Sequence, residues 1–201
     1  AAREMQNRIA NLLREKQSSI PWLGTFHSVS AKLLRKHAEA VGLNSRFTII
    51  DQDDQIRLIK NICKAENIDT KKIAPQFILS LINSWKNKGL LPKNVVIKKN
   101  IPLEKNILKV YNFYQERLKI LNSCDFGDLI LHCVTLFENN PDILDLYLKN
   151  FKYILVDEYQ DSNHIQSKWL NLLAKKNNNI CCVGDDDQSI YSWRGAEIKN
   201  F

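Results

Sequence analysis

Apolar residues recur every three or four positions along most of the chain, a spacing typical of amphipathic helices. In the opening segment, residues 1–16, this pattern predicts a helix that begins before the first residue. The other predicted helices cover residues 29–40, a segment that starts at the acidic positions 51–54, and residues 74–86, 103–121, 125–138, 141–148 and 165–174. The chain is therefore expected to be rich in helix.

Short extended segments separate some of these helices. Residues 22–26 are typical of a strand or strand end that leads into a helix capped by Ser28. A second extended piece is expected from Phe47, before acidic residues whose charge suits the first turn of a helix.

Two runs in the last third are apolar throughout, Tyr153–Val156 and Ile180–Val183. The helix between them can be capped by Ser162 or Asn163. Strands that are apolar on both faces and separated by a helix predict a buried parallel sheet. Ligands of such sheets bind beyond the carboxyl ends of the strands, where acidic residues follow both runs.

The overall composition is that of a globular protein, with 44% hydrophobic and 25% charged residues among 201. The apolar runs are far shorter than the roughly 20 residues of a membrane span, and the amino-terminal pattern is not that of a signal peptide. We therefore expect a cytoplasmic protein without membrane contact. Five cysteines without a CxxC pair favour buried reduced thiols over a zinc site.

The net charge of +7 is unevenly distributed. Residues 1–124 contain 22 Lys/Arg against 10 Asp/Glu, whereas residues 125–201 contain 7 against 12. Residues 55–123 alone contain 14 against 4. A basic region beside an acidic one suggests a surface for a polyanion next to a cation site, although solvated lysines alone would also explain the count.

The string ILVDEYQDSN, in which an apolar strand runs into paired acids, has the form of a Walker B element. Asp157 would hold Mg²⁺, because a hard cation prefers carboxylate oxygen. Glu158 would orient and deprotonate the water that attacks a γ-phosphate. A solvent-exposed acidic turn after a strand is the alternative interpretation.

Five strings together resemble the superfamily 1A DNA helicases typified by UvrD, PcrA and Rep. They are AAREM at residues 1–5, GTFHS at 24–28, DFGDLI at 125–130, DEYQDSN at 157–163 and GDDDQSIYSWRGA at 184–196. They occur in the order of that family and span the chain. Gly127 and Ile130 depart from the family's usual DFDDLL.

The resemblance implies an α/β fold with an incomplete RecA-like parallel sheet of the P-loop NTPase type and an inserted all-helical subdomain. Residues 1–40 would be the first part of domain 1A, 41–123 the basic inserted subdomain 1B, and 124–201 the second part of domain 1A with Walker B and motif III. The implied activity is that of an ATP-driven 3′-to-5′ translocase that separates DNA strands.

The same resemblance implies roles for residues around the nucleotide. Asp157 and Glu158 match the magnesium and water-activating acids, and Gln188 matches the glutamine that senses the γ-phosphate. Gln160, with Asp161, would link nucleotide state to motion. Arg194 would couple the ATP and DNA sites, or form a structural ion pair with one of Asp185 to Asp187.

For single-stranded DNA, the resemblance implies contacts from Thr25, Phe26, His27, Tyr191 and Trp193. Trp193 is favoured as the ring that stacks on a base, an interaction that tolerates any sequence. A histidine that only packs is the alternative for His27. The basic residues of the inserted subdomain would face the duplex at the junction.

A P-loop, GxxxxGK[ST], needs two glycines five positions apart, and the six glycines of the chain contain no such pair. We therefore expect a portion of a longer helicase, whose remainder supplies the P-loop and a second RecA-like domain. The isolated chain is expected to be inactive. A helicase subunit of a helicase–nuclease complex and a non-catalytic DNA-binding remnant are the alternatives. An intact parent is expected in the cytoplasm, associated with the nucleoid.

Overall fold

The structure, a computed structural model, describes residues 2–13, 20–97 and 102–188. The described helices are α1 (Ala2–Leu13), α2 (Phe26–Lys36), α3 (Gln52–Ala65), α4 (Pro75–Asn87), α5 (Pro102–Ile120), α6 (Phe126–Asn139), α7 (Pro141–Asn150) and α8 (His164–Ala174). The described strands are β1 (Thr48–Ile49), β2 (Ser123–Cys124), β3 (Ile154–Val156) and β4 (Ile180–Cys182). None of the described helices is long and apolar enough to cross a membrane.

Two short parallel sheets are present in the described part of the chain. Strand β3 pairs with β4 in the register Leu155 to Cys181, which confirms the parallel pairing that the apolar runs predict. Strand β1 pairs with β2, with Thr48 opposite Ser123. Strand β2 was not predicted, because two residues are too few to show a period of two.

The segment 22–26 is a turn followed by the start of a helix, so the strand predicted there is wrong. Helix α2 begins at Phe26, and its N-cap is Thr25 rather than Ser28. Thr25 Oγ1 accepts a hydrogen bond from the Ser28 backbone N–H at 3.2 Å. The apolar character of the segment reflects side-chain packing, since the Trp22 ring lies edge-on to Tyr147 at 5.7 Å.

The expectation that the β3–β4 sheet is buried on both faces is also wrong for the described chain. Ile154 and Val156 lie on one face and pack in a small apolar cluster with Tyr159 and with Leu170, a residue of helix α8. The opposite face carries Leu155, which is 81% exposed. Side chains alternate along a strand, so Ile154 and Val156 lie on one face and Leu155 on the other. Helix α8 covers only the face with Ile154 and Val156.

Two larger hydrophobic clusters divide the rest of the described chain. One is built on helices α2, α6, α7 and α8, with Leu33, Phe137 and Trp169 in its interior. The other is built on helices α3, α4 and α5, with Ile59 and Ile82 in its interior. We call helices α3, α4 and α5 the helical unit. Strands β1 and β2 lie at the two ends of this unit, so the chain enters and leaves it side by side.

Capping side chains begin the helices that position the site. Asp51 caps α3, and Asp125 caps α6 in a capping box with Asp128. Asn163, one of the two predicted candidates, caps α8 in a capping box with Gln166. All five cysteines are free thiols, but the expectation that they are buried holds only for Cys63, Cys124 and Cys133, since Cys181 is exposed and Cys182 half-buried.

Candidate functional site

Strand β3 ends at the carboxyl edge of its sheet in two exposed acids. Val156 is buried, and Asp157 and Glu158 follow it with exposed side chains. Glu158 has φ 54° and ψ 42°, in the left-handed region. A non-glycine residue in a sparsely populated backbone region costs about 1–3 kcal/mol, and such residues cluster at functional sites. The turn that follows is held to the neighbouring strand, since Tyr159 N–H donates to Val183 O at 3.0 Å.

Hydrogen bonds connect the first acidic motif to the end of strand β4. Gln160 Nε2 donates to Glu158 Oε2 at 2.6 Å. Gln160 Oε1 accepts from the Asp185 backbone N–H at 3.1 Å, and Gln188 Nε2 donates to Asp185 Oδ2 at 2.8 Å. The structure thus brings together Glu158, Gln160 and Gln188, three residues that the sequence indicates.

Asp185 is the bridge in this chain of hydrogen bonds, and sequence reasoning missed that role. The available signal was its position, since it follows Gly184 directly after an apolar strand. A carboxylate placed there can accept from a side chain of the next turn, while the backbone N–H of the same residue donates to the turn that follows the adjacent strand. Asp185 also accepts from the Asp187 backbone N–H at 3.1 Å, which orders the 3₁₀ turn Asp186–Gln188.

A cavity of ≈ 450 Å³ lies beside the two acids. One side is formed by the GTFHS segment, with Thr25 and His27, and the other by the acidic motif, with Glu158 and Asp161. Asp161 Oδ1 is buried and has no hydrogen-bond partner within the described residues. A buried acceptor in that state suits a site where a polar ligand or water completes the contacts.

The acids at the end of β3 fit a magnesium ion bound with phosphate. Within the described residues, no group of three or more His, Cys, Asp or Glu side chains could hold a metal by itself. Mg²⁺ does not require one, because it usually takes one or two carboxylates and completes its shell with water and substrate phosphates. Asp157 and Glu158 supply exposed carboxylates of that kind.

The GTFHS segment turns its residues in different directions. Thr25 is exposed and caps helix α2, so its side chain is engaged with the Ser28 N–H. Phe26 is half-buried and packs against the edge of the hydrophobic core, where its ring lies edge-on to the Trp169 ring at 5.9 Å. His27 is half-buried, and burial lowers its pKa, so the imidazole is neutral at pH 7.

Phe126 is a residue of this surface that sequence reasoning missed. Its ring is 52% exposed and lies edge-on to the His27 ring at 5.7 Å. It is the first residue of helix α6, directly after the capping Asp125. An apolar ring in an exposed first turn is the signal that could have indicated it.

Tyr191, Trp193 and Arg194 lie in residues 189–201, outside the described part of the chain. Their expected contacts with DNA and nucleotide, and the alternative ion pair of Arg194, therefore stay predictions. The described GDDDQ portion of the same motif ends at Gln188.

Basic side chains of the helical unit face solvent. Between residues 55 and 123, every described lysine and arginine is exposed except Lys86. Some are paired, as in Lys109 with Glu66 at 2.7 Å and Arg57 with Asp54 at 3.4 Å. The excess of positive charge is thus a property of the surface.

Comparison with known proteins assigns a family. The profile described as "UvrD/REP helicase N-terminal domain" matches residues 1–201. A probable DNA helicase II homolog of Rickettsia felis is 50% identical over 203 residues, which cover 100% of this chain and 31% of that protein. DNA helicase II of Rickettsia typhi is 49% identical over 204 residues, which cover 100% of this chain and 30% of that protein.

A more distant relative has the same coverage pattern. The ATP-dependent DNA helicase PcrA of Staphylococcus aureus is 42% identical over 200 residues, which cover 100% of this chain and 27% of that protein. The chain thus spans less than a third of the length of these relatives.

Proposed function

The chain belongs to the family of UvrD/REP helicase N-terminal domains, and from that premise we propose that it supplies the hydrolytic acids and part of the DNA track of an ATP-dependent 3′-to-5′ DNA helicase. The observation that carries the proposal is the hydrogen-bonded chain from Glu158 through Gln160 and Asp185 to Gln188. It lies at the carboxyl ends of two parallel strands, where ligands of such sheets bind. Under this proposal the protein works in the cytoplasm, at the nucleoid.

Asp157 and Glu158 have separate roles in the proposed reaction. Asp157 would hold Mg²⁺, which when bound neutralises charge on the β- and γ-phosphates of ATP. Glu158 would orient the attacking water and accept its proton. Its left-handed backbone carries the chain out of the strand, and the hydrogen bond from Gln160 holds its carboxylate in one place.

Gln188 is proposed to report the state of the γ-phosphate. It shares a hydrogen-bonded path with Glu158, so a change at one end can move the other. Gln160 lies in the middle of this path, and its side chain is buried. Burial favours one fixed side-chain conformation that keeps both of its hydrogen bonds. Arg194 is proposed to extend this coupling to DNA.

The DNA track is proposed to run over the GTFHS segment and the start of helix α6. Thr25 would contact phosphate, while His27, Phe126, Tyr191 and Trp193 would present rings to bases. The described support is the exposed Phe126 ring beside a neutral His27. Phe26 contributes from a half-buried position at the edge of the core.

The domain arrangement proposed for the chain is a RecA-like domain 1A in residues 1–40 and 124–201, interrupted by subdomain 1B in residues 41–123. The separate hydrophobic cluster of the helical unit supports this division. The exposed basic side chains of that unit suit contact with duplex phosphates, which adds affinity without sequence preference.

The 201 residues contain no P-loop spacing. We propose that ATP hydrolysis needs a P-loop and a second RecA-like domain from the rest of a longer protein. The isolated 201-residue polypeptide is accordingly expected to show no turnover above its own Glu158→Gln variant.

The test of the proposed function is the ATPase activity of the full-length protein that carries these residues, measured with Mg²⁺ and single-stranded DNA. Glu158→Gln should lower kcat by about 10²–10⁴-fold, because it removes the general base. ATP affinity should be retained, since the amide has the shape of the acid.

Glu39→Gln is the matched control, because Glu39 is exposed and lies in the 3₁₀ turn Ala38–Val41, away from the cavity lining. Equal turnover of the Glu158→Gln and Glu39→Gln variants would contradict the catalytic role. DNA binding without any ATP turnover in the unsubstituted protein would favour the non-catalytic DNA-binding alternative.

A further inference from the structure

A buried cluster of charged side chains lies where helix α4 meets the start of helix α6. Lys86 is completely buried, and its Nζ donates to Asp125 Oδ2 at 2.6 Å. The same ammonium lies 2.7 Å from Asp128 Oδ1 and donates to Gln115 Oε1 at 3.1 Å. The Tyr114 hydroxyl donates to Asp125 Oδ2 at 2.8 Å. The cluster joins the helical unit to the capping box of α6.

The charges of this cluster depend on one another. Burial disfavours the Lys86 ammonium, but the carboxylates of Asp125 and Asp128 raise its pKa above the ordinary value. Burial likewise disfavours the Asp125 carboxylate, and Lys86 nevertheless holds its pKa below the ordinary value. Burial and then the Asp125 charge raise the pKa of Asp128. Loss of Lys86 alone would therefore leave uncompensated buried charge.

The residue next to Lys86 reaches a different helix. Asn87, the last residue of α4, accepts a hydrogen bond at its Oδ1 from Asn163 Nδ2 at 3.2 Å. Asn163 caps α8, and its own Oδ1 accepts from the Gln166 backbone N–H at 3.1 Å. Only the 3₁₀ turn Tyr159–Asp161 and Ser162 separate this cap from Glu158.

The backbone beyond α4 also approaches α8 closely. Gly89 has φ 75°, and a Cβ built on it would lie 3.0 Å from Ile165 Cδ1 in the first turn of α8. Further towards the start of α4, Ile78 and Ile82 pack in the interior of the helical unit. Helix α4 therefore packs inside the helical unit and also contacts the starts of helices α6 and α8, which flank the site.

We propose that Lys86 and Asn87 are positioning residues that couple the helical unit to the acidic turn after strand β3. The inference rests on the proposed function and deepens it. Helix α4 would move with the helical unit when DNA binds there. The ion pairs of Lys86 would carry this displacement to α6, and the Asn87–Asn163 hydrogen bond would carry it to the α8 cap and so to Glu158.

The first test measures ATPase activity of the full-length protein with and without DNA. Asn87→Ala removes the acceptor, and Asn163→Ser removes the Nδ2 donor while its hydroxyl keeps a cap acceptor. Each variant should lower the ratio of DNA-stimulated to basal turnover by about threefold to tenfold, with basal turnover unchanged within error. The double variant should lose less than the two single losses added together, because both substitutions remove the same Asn87–Asn163 contact.

The second test concerns Lys86. Lys86→Met alone is expected to impair folding, so it is combined with Asp125→Asn and Asp128→Asn, which remove the charges and keep the cap acceptors. The triple variant should unfold cooperatively and show the same loss of DNA stimulation. Lys149→Met is the matched control, because Lys149 is exposed in the last turn of helix α7, outside the helical unit, and it should behave like the unsubstituted protein.

The outcomes separate the inference from the function on which it rests. If the unsubstituted protein shows no DNA-stimulated turnover, the proposed function fails and the inference fails with it. If stimulation is present and persists in full in Asn87→Ala and in the triple variant, the inference alone is overturned. A loss of basal turnover equal to the loss of stimulated turnover would also overturn it, since that result indicates a merely structural role.

Discussion

His27 and Phe126 form a small exposed aromatic surface from two distant parts of the chain. Their rings meet edge-on at 5.7 Å, a geometry that orients the Phe126 ring while 52% of the side chain stays open to solvent. The neutral imidazole places no charge beside the ring. At this scale the molecule offers one exposed apolar ring, next to a histidine that lines the cavity beside the proposed catalytic acids.

Phe126→Ala is expected to weaken binding of the chain to single-stranded DNA by about 1–3 kcal/mol, because one stacked base is lost. Fluorescence anisotropy with a labelled oligothymidylate measures this change. Phe77→Ala is the matched control, since Phe77 is 50% exposed on helix α4. Equal affinities of the two variants would show that the Phe126 ring does not contact DNA.

Caps decide where the helices around the site begin. Helix α2 starts at Phe26 because the Thr25 hydroxyl oxygen satisfies the Ser28 N–H, one of the four unpaired donors of a helix start. The hydroxyl of Ser28 donates back to Thr25 O at 2.9 Å. Thr25 therefore positions both the helix and the GTFHS surface.

Thr25→Ala should lower the free energy of unfolding by about 0.5–2 kcal/mol, the usual cost of losing an N-cap. Thr25→Ser should preserve stability, because it keeps the hydroxyl. Urea unfolding followed by circular dichroism measures both. Ser28→Ala, which removes only an exposed local hydrogen bond, should cost less than Thr25→Ala; the reverse order would restore Ser28 as the cap.

Helix α4 shows how an element can belong to two parts of the molecule. Its apolar face packs in the helical unit, while its last turn ends in a buried lysine and an asparagine that contact α6 and α8. The apolar spacing predicts the helix and its packing face. It does not predict that Lys86 is buried, because lysine is almost never fully buried unless it is paired, and its carboxylate partners lie 39 or more positions away.

The whole molecule combines a basic helical unit with an acidic sheet edge. The two passages of chain between them run side by side as β1 and β2, with backbone hydrogen bonds such as Thr48 N–H to Asn122 O at 3.0 Å. The basic surface of the helical unit suits binding of a polyanion, and the acidic sheet edge suits binding of a cation with a nucleotide.

Burial of histidine makes the stability of the whole fold sensitive to mild acid. Burial lowers the pKa of His27, His37 and His132 below the ordinary 6.5, with the charge of Lys36 adding to the effect at His37 and Asp128 opposing it at His132. At these three histidines the unfolded chain therefore binds more protons than the folded one as the pH falls through 6.5. Stability should accordingly fall as pH decreases from 7.5 to 5.5.

The His27→Gln variant should lose less stability over this pH range than the unsubstituted chain, as measured by urea unfolding at pH 7.5, 6.5 and 5.5. His164→Gln is the control, because His164 is exposed at the start of α8. Its loss of stability should match that of the unsubstituted chain. An identical pH dependence in His27→Gln would contradict the role of His27 burial.

The amino-acid sequence alone was sufficient to predict the helices, the pairing type of strands β3 and β4, the acidic motif and the family. These features depend on residue spacing within a turn or a strand, which is local, and on motif strings, which can be read in order. Only the tertiary structure decided that Thr25 caps α2, that Asp185 bridges Gln160 and Gln188, that Phe126 meets His27 and that Lys86 lies buried between two aspartates. The last three depend on residues that are far apart in the chain, and the first on a choice between two hydroxyls three positions apart, because either can begin a helix.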